Sequence, residues 1–203
     1  MSSTVHIPDE GLRRALSLQA IDADEAGHVR AASLARLEQL RWTDHGEAEG
    51  YPELWMPIEK LDGLEHCEAL RELSLSGNEL ASLEPTASLR KLEALWLGAT
   101  FLRSLEGLGD KPALLRVDLR DNPLTDIGPL RRCPALTKVD LAHTKVADLS
   151  PLLELSALTN LALFGVSVGP DTESFAVLQE LMSRGVTISA SRPLIQQLRD
   201  AQS

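Results

Sequence analysis

The chain has 203 residues, 43% of them apolar but only 3% aromatic, so one domain or one elongated array can form and aliphatic side chains must fill its core. Thirty acidic against twenty basic residues give a formal net charge of −10. That removes the counterion-release drive toward nucleic acid and any attraction to an anionic membrane surface, so neither is an expected partner. Two cysteines, Cys67 and Cys133, are too few for a secreted disulfide framework. The start, Met1 to His6, has no basic segment and no apolar segment of a secretory signal, and no apolar run reaches transmembrane length; a cytoplasmic location is expected.

The first predicted element is a short amphipathic helix over Ile7, Pro8, Asp9, Glu10, Gly11, Leu12 and on to Leu16, with proline in its first turn and acids beside it. Asp22, Asp24 and their neighbours begin like a calcium loop, but Ala26 at the fifth position and Ser33 at the twelfth break the liganding set. Leu34, Leu37, Leu40 and Trp42 read as an incomplete strand unit. A surplus of eleven residues follows, within an insertion loop at 43–57 that carries Tyr51 and Trp55, two of the seven aromatics.

From Ile58 the chain keeps strict time. Leu70, Leu73, Leu75, Asn78 and Leu80 set the pattern L-x-x-L-x-L-x-x-N-x-L, and copies begin again at Leu92, Leu114, Leu136 and Leu158, at one unvarying interval. Period-2 alternation makes each L-x-L a short strand with one face buried. The Asn position follows the strand, where a buried carboxamide can bond backbone groups that the turn leaves unpaired. Asn78 and Asn122 fill it, Thr100 and Thr144 substitute in part, and Val166 cannot. The second half of each copy spaces apolar residues by three (Leu124, Ile127, Leu130; Val146, Leu149, Leu152), with Pro129 and Pro151 between them. That suits 3₁₀ turns on a convex side. Cys67 and Cys133, three periods apart, share a column with Leu89 and Leu155 and read as small core residues in separate coils, beyond disulfide reach. After Val168 the frame slips: Thr172 to Ser183 has helical spacing, Gly185 to Ile188 reads as a last strand, and Pro193 to Leu198 as a closing helix.

The I-P-D-x-x-L-x-x-A-L start, joined to 22-residue repeats carrying D-I-x-P-L (Asp126, Ile127, Pro129, Leu130) or its variant at Asp148, Leu149, Pro151 and Leu152, resembles bacterial internalin-type leucine-rich-repeat proteins from Val5 to about Val168. The resemblance implies an α/β leucine-rich-repeat solenoid whose concave sheet binds another protein. About seven short parallel strands, an irregular or 3₁₀ convex side and helical caps are expected. The expected division is one domain over 1–203: cap and first partial repeat at 1–42, insertion at 43–57, regular repeats at 58–168, C-terminal cap at 169–203. Neither a secretory signal nor an adhesive or wall-anchoring domain is expected from these residues, so only the protein-binding architecture is expected to carry over.

Chemistry is sparse. His6, His28, His45, His66 and His143 show no metal-ligand spacing, and no nucleophile elbow, phosphate loop or dinucleotide fingerprint is present, so no catalytic, cofactor or metal residue is assigned. The outward strand positions are more informative. One column reads Ser74, Trp96, Asp118, Asp140, Ala162; its neighbours hold Arg116 and Lys138 on one side, Arg120 and Phe164 on the other. An outward Trp beside arginines has the composition of an interface hot spot. The expected function is a non-enzymatic, monomeric interaction module binding a protein through Trp96, Arg116, Asp118, Arg120, Lys138, Asp140 and Phe164, with Tyr51 and Trp55 as the competing surface. An enzyme acting at His45 or at Asp118 and Asp140 is the alternative.

Overall fold

The structure, a computed structural model, describes residues 3–43 and 56–201. Its N-terminal end pairs β1 (Thr4–His6) antiparallel with β2 (His28–Arg30), bracketing helix α1 (Glu10–Ser17); a four-residue helix, α2 (Ala31–Leu34), follows. The expected amphipathic helix is therefore present, but the β1–β2 pair is an addition. Three residues standing outside the repeats have no copies to mark them as a strand. Asp9 caps α1 by accepting the Leu12 amide at 2.8 Å on one carboxylate oxygen. Its other oxygen accepts the amides of Glu59 and Lys60 at 2.9 and 3.0 Å, so one side chain ties the cap to the first regular coil.

Seven strands then stack in sequence order into one parallel sheet: β3 (Gln39–Arg41), β4 (Glu72–Ser74), β5 (Ala94–Trp96), β6 (Arg116–Asp118), β7 (Lys138–Asp140), β8 (Asn160–Ala162) and β9 (Thr187–Ser189). Leu40, Leu73, Leu95, Val117, Val139, Leu161 and Ile188 align as one row. All but Ile188 are buried. The sequence supplies one inward aliphatic residue per strand, and only stacking covers it. The ladder runs on past each strand, with the amides of Leu75, Leu97, Leu119, Leu141 and Leu163 each bonding a carbonyl of the next coil at 2.7–2.9 Å. Opposite the sheet run 3₁₀ turns at Leu64–His66, Glu84–Thr86, Gly128–Arg132 and Ser150–Glu154, the last three opening on Pro85, Pro129 and Pro151 as the spacing of three predicts. Helices α3 (Glu173–Ser183, capped by Thr172) and α4 (Arg192–Asp200) flank β9 and bury Phe175, Leu178, Leu181, Leu194 and Leu198.

Two side-chain columns govern the turn after each strand. Asn78 accepts the Ile58 amide at 2.8 Å and donates to the carbonyls of Trp42 and Leu75 at 2.7 and 2.8 Å. Asn122 accepts the amides of Thr100 and Leu102 and donates to the carbonyls of Leu97 and Leu119. Thr100 and Thr144 reach less far, each hydroxyl donating to a carbonyl of its own turn at 2.7 Å. The residue just before this position is left-handed in every copy: Gly77, Ala99, Asp121, His143 and Gly165 all have φ between 54° and 81°. The turn demands that conformation whatever the side chain, and three copies meet it with a Cβ.

Candidate functional site

The outward positions of β5 to β9 form a cleft of about 280 Å³ on the concave face. Trp96, Arg116, Asp118, Lys138 and Asp140 line it together with Asn160, Ala162 and Ser189. Register explains the grouping. Trp96 aligns with Asp118 and Asp118 with Asp140, while Arg116 aligns with Lys138, and aligned side chains on neighbouring strands stand about 4.8 Å apart. Each aspartate also closes a tight turn: Asp118 Oδ1 accepts the Arg120 amide at 3.1 Å and Asp140 Oδ1 accepts the Ala142 amide at 2.9 Å. Those bonds fix one oxygen of each carboxylate against the backbone. The Asp118 side chain is only 14% exposed, and its desolvation raises its pKa against the opposing pull of the Arg120 amide and guanidinium. Trp96 is half-buried, and among the described residues no cation lies over its ring.

The profile of the family described as Leucine Rich repeats (2 copies) matches residues 112–154, the segment holding β6 and β7. No curated protein sequence matches the chain. Among solved structures, an internalin (InlF) from Listeria monocytogenes superposes with a TM-score of 0.63 at 19% identity, over 91% of this chain and 56% of that one. Internalin C2 from the same organism superposes at 0.57 and 20% identity, over 91% of this chain and 86% of its own. The chain has the internalin-type leucine-rich-repeat fold. It spans little more than half the length of the first of these structures.

Within the internalin-type frame, the predicted site residues separate into three groups. The five cleft residues converge. Arg120 stands outside the cleft lining but reaches it through Asp118, Nε to Oδ2 3.3 Å. Phe164 is 47% exposed just past the end of β8 and does not line the cleft. Tyr51, Trp55 and His45 lie outside the described residues. Ser189 was missed because the step from β8 to β9, Leu161 to Ile188, is longer than the repeat period, so the regular columns do not reach it. Phe101 was also missed. It is 67% exposed at φ 60°, a left-handed conformation that is uncommon for a bulky residue.

The cysteine column holds a departure of its own. Position 111 lies in it, one period before Cys133, and carries lysine. Lys111 is wholly buried, its ammonium donating to the carbonyls of Leu108 and, at 3.3 Å, Ala87. Desolvation lowers its pKa to about 8, with the Cys133 sulfur pulling the other way. The repeat period was the signal that would have found it. Cys67 and Cys133 are free and buried, and desolvation pushes their thiols to about 12 and about 11. Asp24, in the broken calcium loop, is occupied with the amides of Ala26 and His28 at 3.0 and 2.8 Å, which lower its pKa, the His28 amide most. Among the described residues no three His, Cys, Asp or Glu side chains converge as a metal site, and no helix is long and apolar enough to cross a membrane.

Proposed function

We propose that this chain is a non-enzymatic protein-binding module that grips its partner along the concave face, through Trp96, Arg116, Asp118, Arg120, Lys138 and Asp140, with Phe164 at the margin. The observation that carries the reading is the half-buried Trp96 at the wall of a charged cleft, with no cation among the described residues stacked on it. A large aromatic sharing a cleft with an arginine has the composition of an interface centre, and rows of side chains on a rigid sheet present it with little ordering cost. A regulator, adaptor or immunity-type protein acting as a monomer in the bacterial cytoplasm fits this reading. Two unpaired buried cysteines suit a reducing compartment.

The experiment is affinity capture from the native host followed by measured binding of the captured protein. Trp96→Ala and Arg120→Glu should each weaken that binding, the tryptophan by about thirtyfold, equivalent to about 2 kcal/mol at a central hot spot. Stability should change by only about 0.5 kcal/mol. Unchanged affinity in Trp96→Ala, with loss on replacing Tyr51 and Trp55, would move the interface to the insertion.

A further inference from the structure

Neighbouring coils of this solenoid generally meet through opposite charges. Among the described residues, Arg41 pairs with Glu72 at 3.0 Å, Arg71 with Glu93, Arg90 with Asp110 at 3.5 Å, and Arg131 with Glu154 at 2.6 Å. Strands β6 and β7 break the habit twice. Their register sets Arg116 against Lys138 and Asp118 against Asp140. Like charges aligned across strands are destabilising. Neither cation has an ion pair among the described residues, although acids stand two residues along the same strands. The sheet thus carries a two-by-two grid, one row of positive charge and one of negative, about 6.6 Å apart along the strands. Trp96 continues the negative row one strand further.

The grid asks for its own complement. A carboxylate placed over the base row would be shared by Arg116 and Lys138, relieving their repulsion. An ammonium or guanidinium over the acid row would be shared by Asp118 and Asp140, with its apolar stem and charge against the open face of Trp96. Both can be delivered by one partner segment whose acid and base are about 6–7 Å apart on one face. Alternate residues of an extended chain meet that spacing, as do residues four apart on a helix.

We infer that the partner engages this cleft with a protein segment that presents one acidic and one basic side chain on the same face, the acid bridging Arg116 and Lys138 and the base bridging Asp118 and Asp140 beside Trp96. The inference rests on the concave-face reading and specifies its chemistry. It also assigns the like-charge register a role: the base row has no ion pair among the described residues and the acid row only the Arg120 contact to Asp118, at 3.3 Å, so a segment carrying both charges completes the pattern.

The test uses a displayed library of random dodecapeptides selected on the full-length protein, with three variants as counter-screens. Lys138→Glu gives Arg116 an opposite charge, Asp140→Asn keeps an acceptor for the Ala142 amide while removing the charge, and Trp96→Ala reports use of the cleft. Enriched peptides should carry an acid and a base two or four residues apart and should bind about tenfold more weakly to each charge variant. Lys138→Glu should meanwhile raise the melting temperature of the free protein. Peptides that need Trp96 but ignore both charge variants overturn the inference and leave the concave-face reading standing. Peptides indifferent to all three variants, or no enrichment, overturn both. A lowered melting temperature for Lys138→Glu removes the like-charge cost and overturns the inference by itself.

Discussion

The side-chain oxygen of Asn122 accepts the backbone amide of Thr100, one coil back, at 3.1 Å. The same oxygen accepts the Leu102 amide at 2.9 Å, and the nitrogen donates to the Leu97 carbonyl at 2.7 Å, so one carboxamide completes the turn of a neighbour that carries only a threonine. Replacing Asn122 with Ala would leave at least three buried backbone groups without a partner. A loss of about 3 kcal/mol is expected. Thr144→Val, which deletes a single bond to Leu141, should cost about 1 kcal/mol. Urea unfolding of the two variants checks the contrast, and equal losses would mean that the inter-coil bonds carry no special weight.

Ala99 sits at φ 54° in a column whose first and last members are glycine. An L side chain there costs about 1–2 kcal/mol relative to glycine, and the freedom glycine gives the unfolded chain takes back about 0.4–1 kcal/mol, so Ala99→Gly should stabilise the fold by about 0.5–1 kcal/mol. A denaturation midpoint lower than wild type would refute this.

Lys111 makes stability depend on pH in the alkaline range. Its folded pKa, about 8, lies below the ordinary 10.5, so burial favours the neutral amine. That stabilisation is present above pH 10.5, fades as pH falls toward 8, and is absent below. Relative to Lys111→Met, wild type should therefore lose about 3 kcal/mol as pH falls across that window. Paired melts at pH 7, 8, 9 and 10 follow the difference; a flat difference would place the ammonium in water.

Burial also sets the reactivity of the thiols. With Cys67 near 12 and Cys133 near 11, almost no thiolate exists at neutral pH, and neither sulfur is open to solvent. A thiol reagent should modify both promptly in denaturant and slowly in the native protein. Fast native labelling of either would contradict its core position.

The solenoid was readable because its period is enforced by packing: each strand buries one aliphatic side chain against the next, so such a residue must return once per coil. The cleft was readable for the same reason, since outward columns follow once the inward row is fixed. What escaped were departures that aliphatic counting cannot see. Lys111 stands where the column asks for a leucine, and a lysine in sequence looks like surface. The left-handed column mixes glycine with alanine, aspartate and histidine because backbone geometry, not side-chain type, is what repeats there. The β1–β2 pair and Ser189 lie beyond the regular copies, where no column reaches.

Leu40 aligns with Leu73 across β3 and β4 after half as much chain again as separates Leu73 from Leu95, or any later pair in the row as far as Leu161. The long step and the short one bring the same kind of side chain to the same row. At that seam, as again between Leu161 and Ile188, the number of residues between aligned side chains departs from the period while the row itself is kept. Between β5 and β6, by contrast, the exact period is held by the left-handed Ala99 and by the Thr100 and Leu102 amides that Asn122 accepts, so chain added at that turn would separate the coils' strands from the carboxamide that joins them.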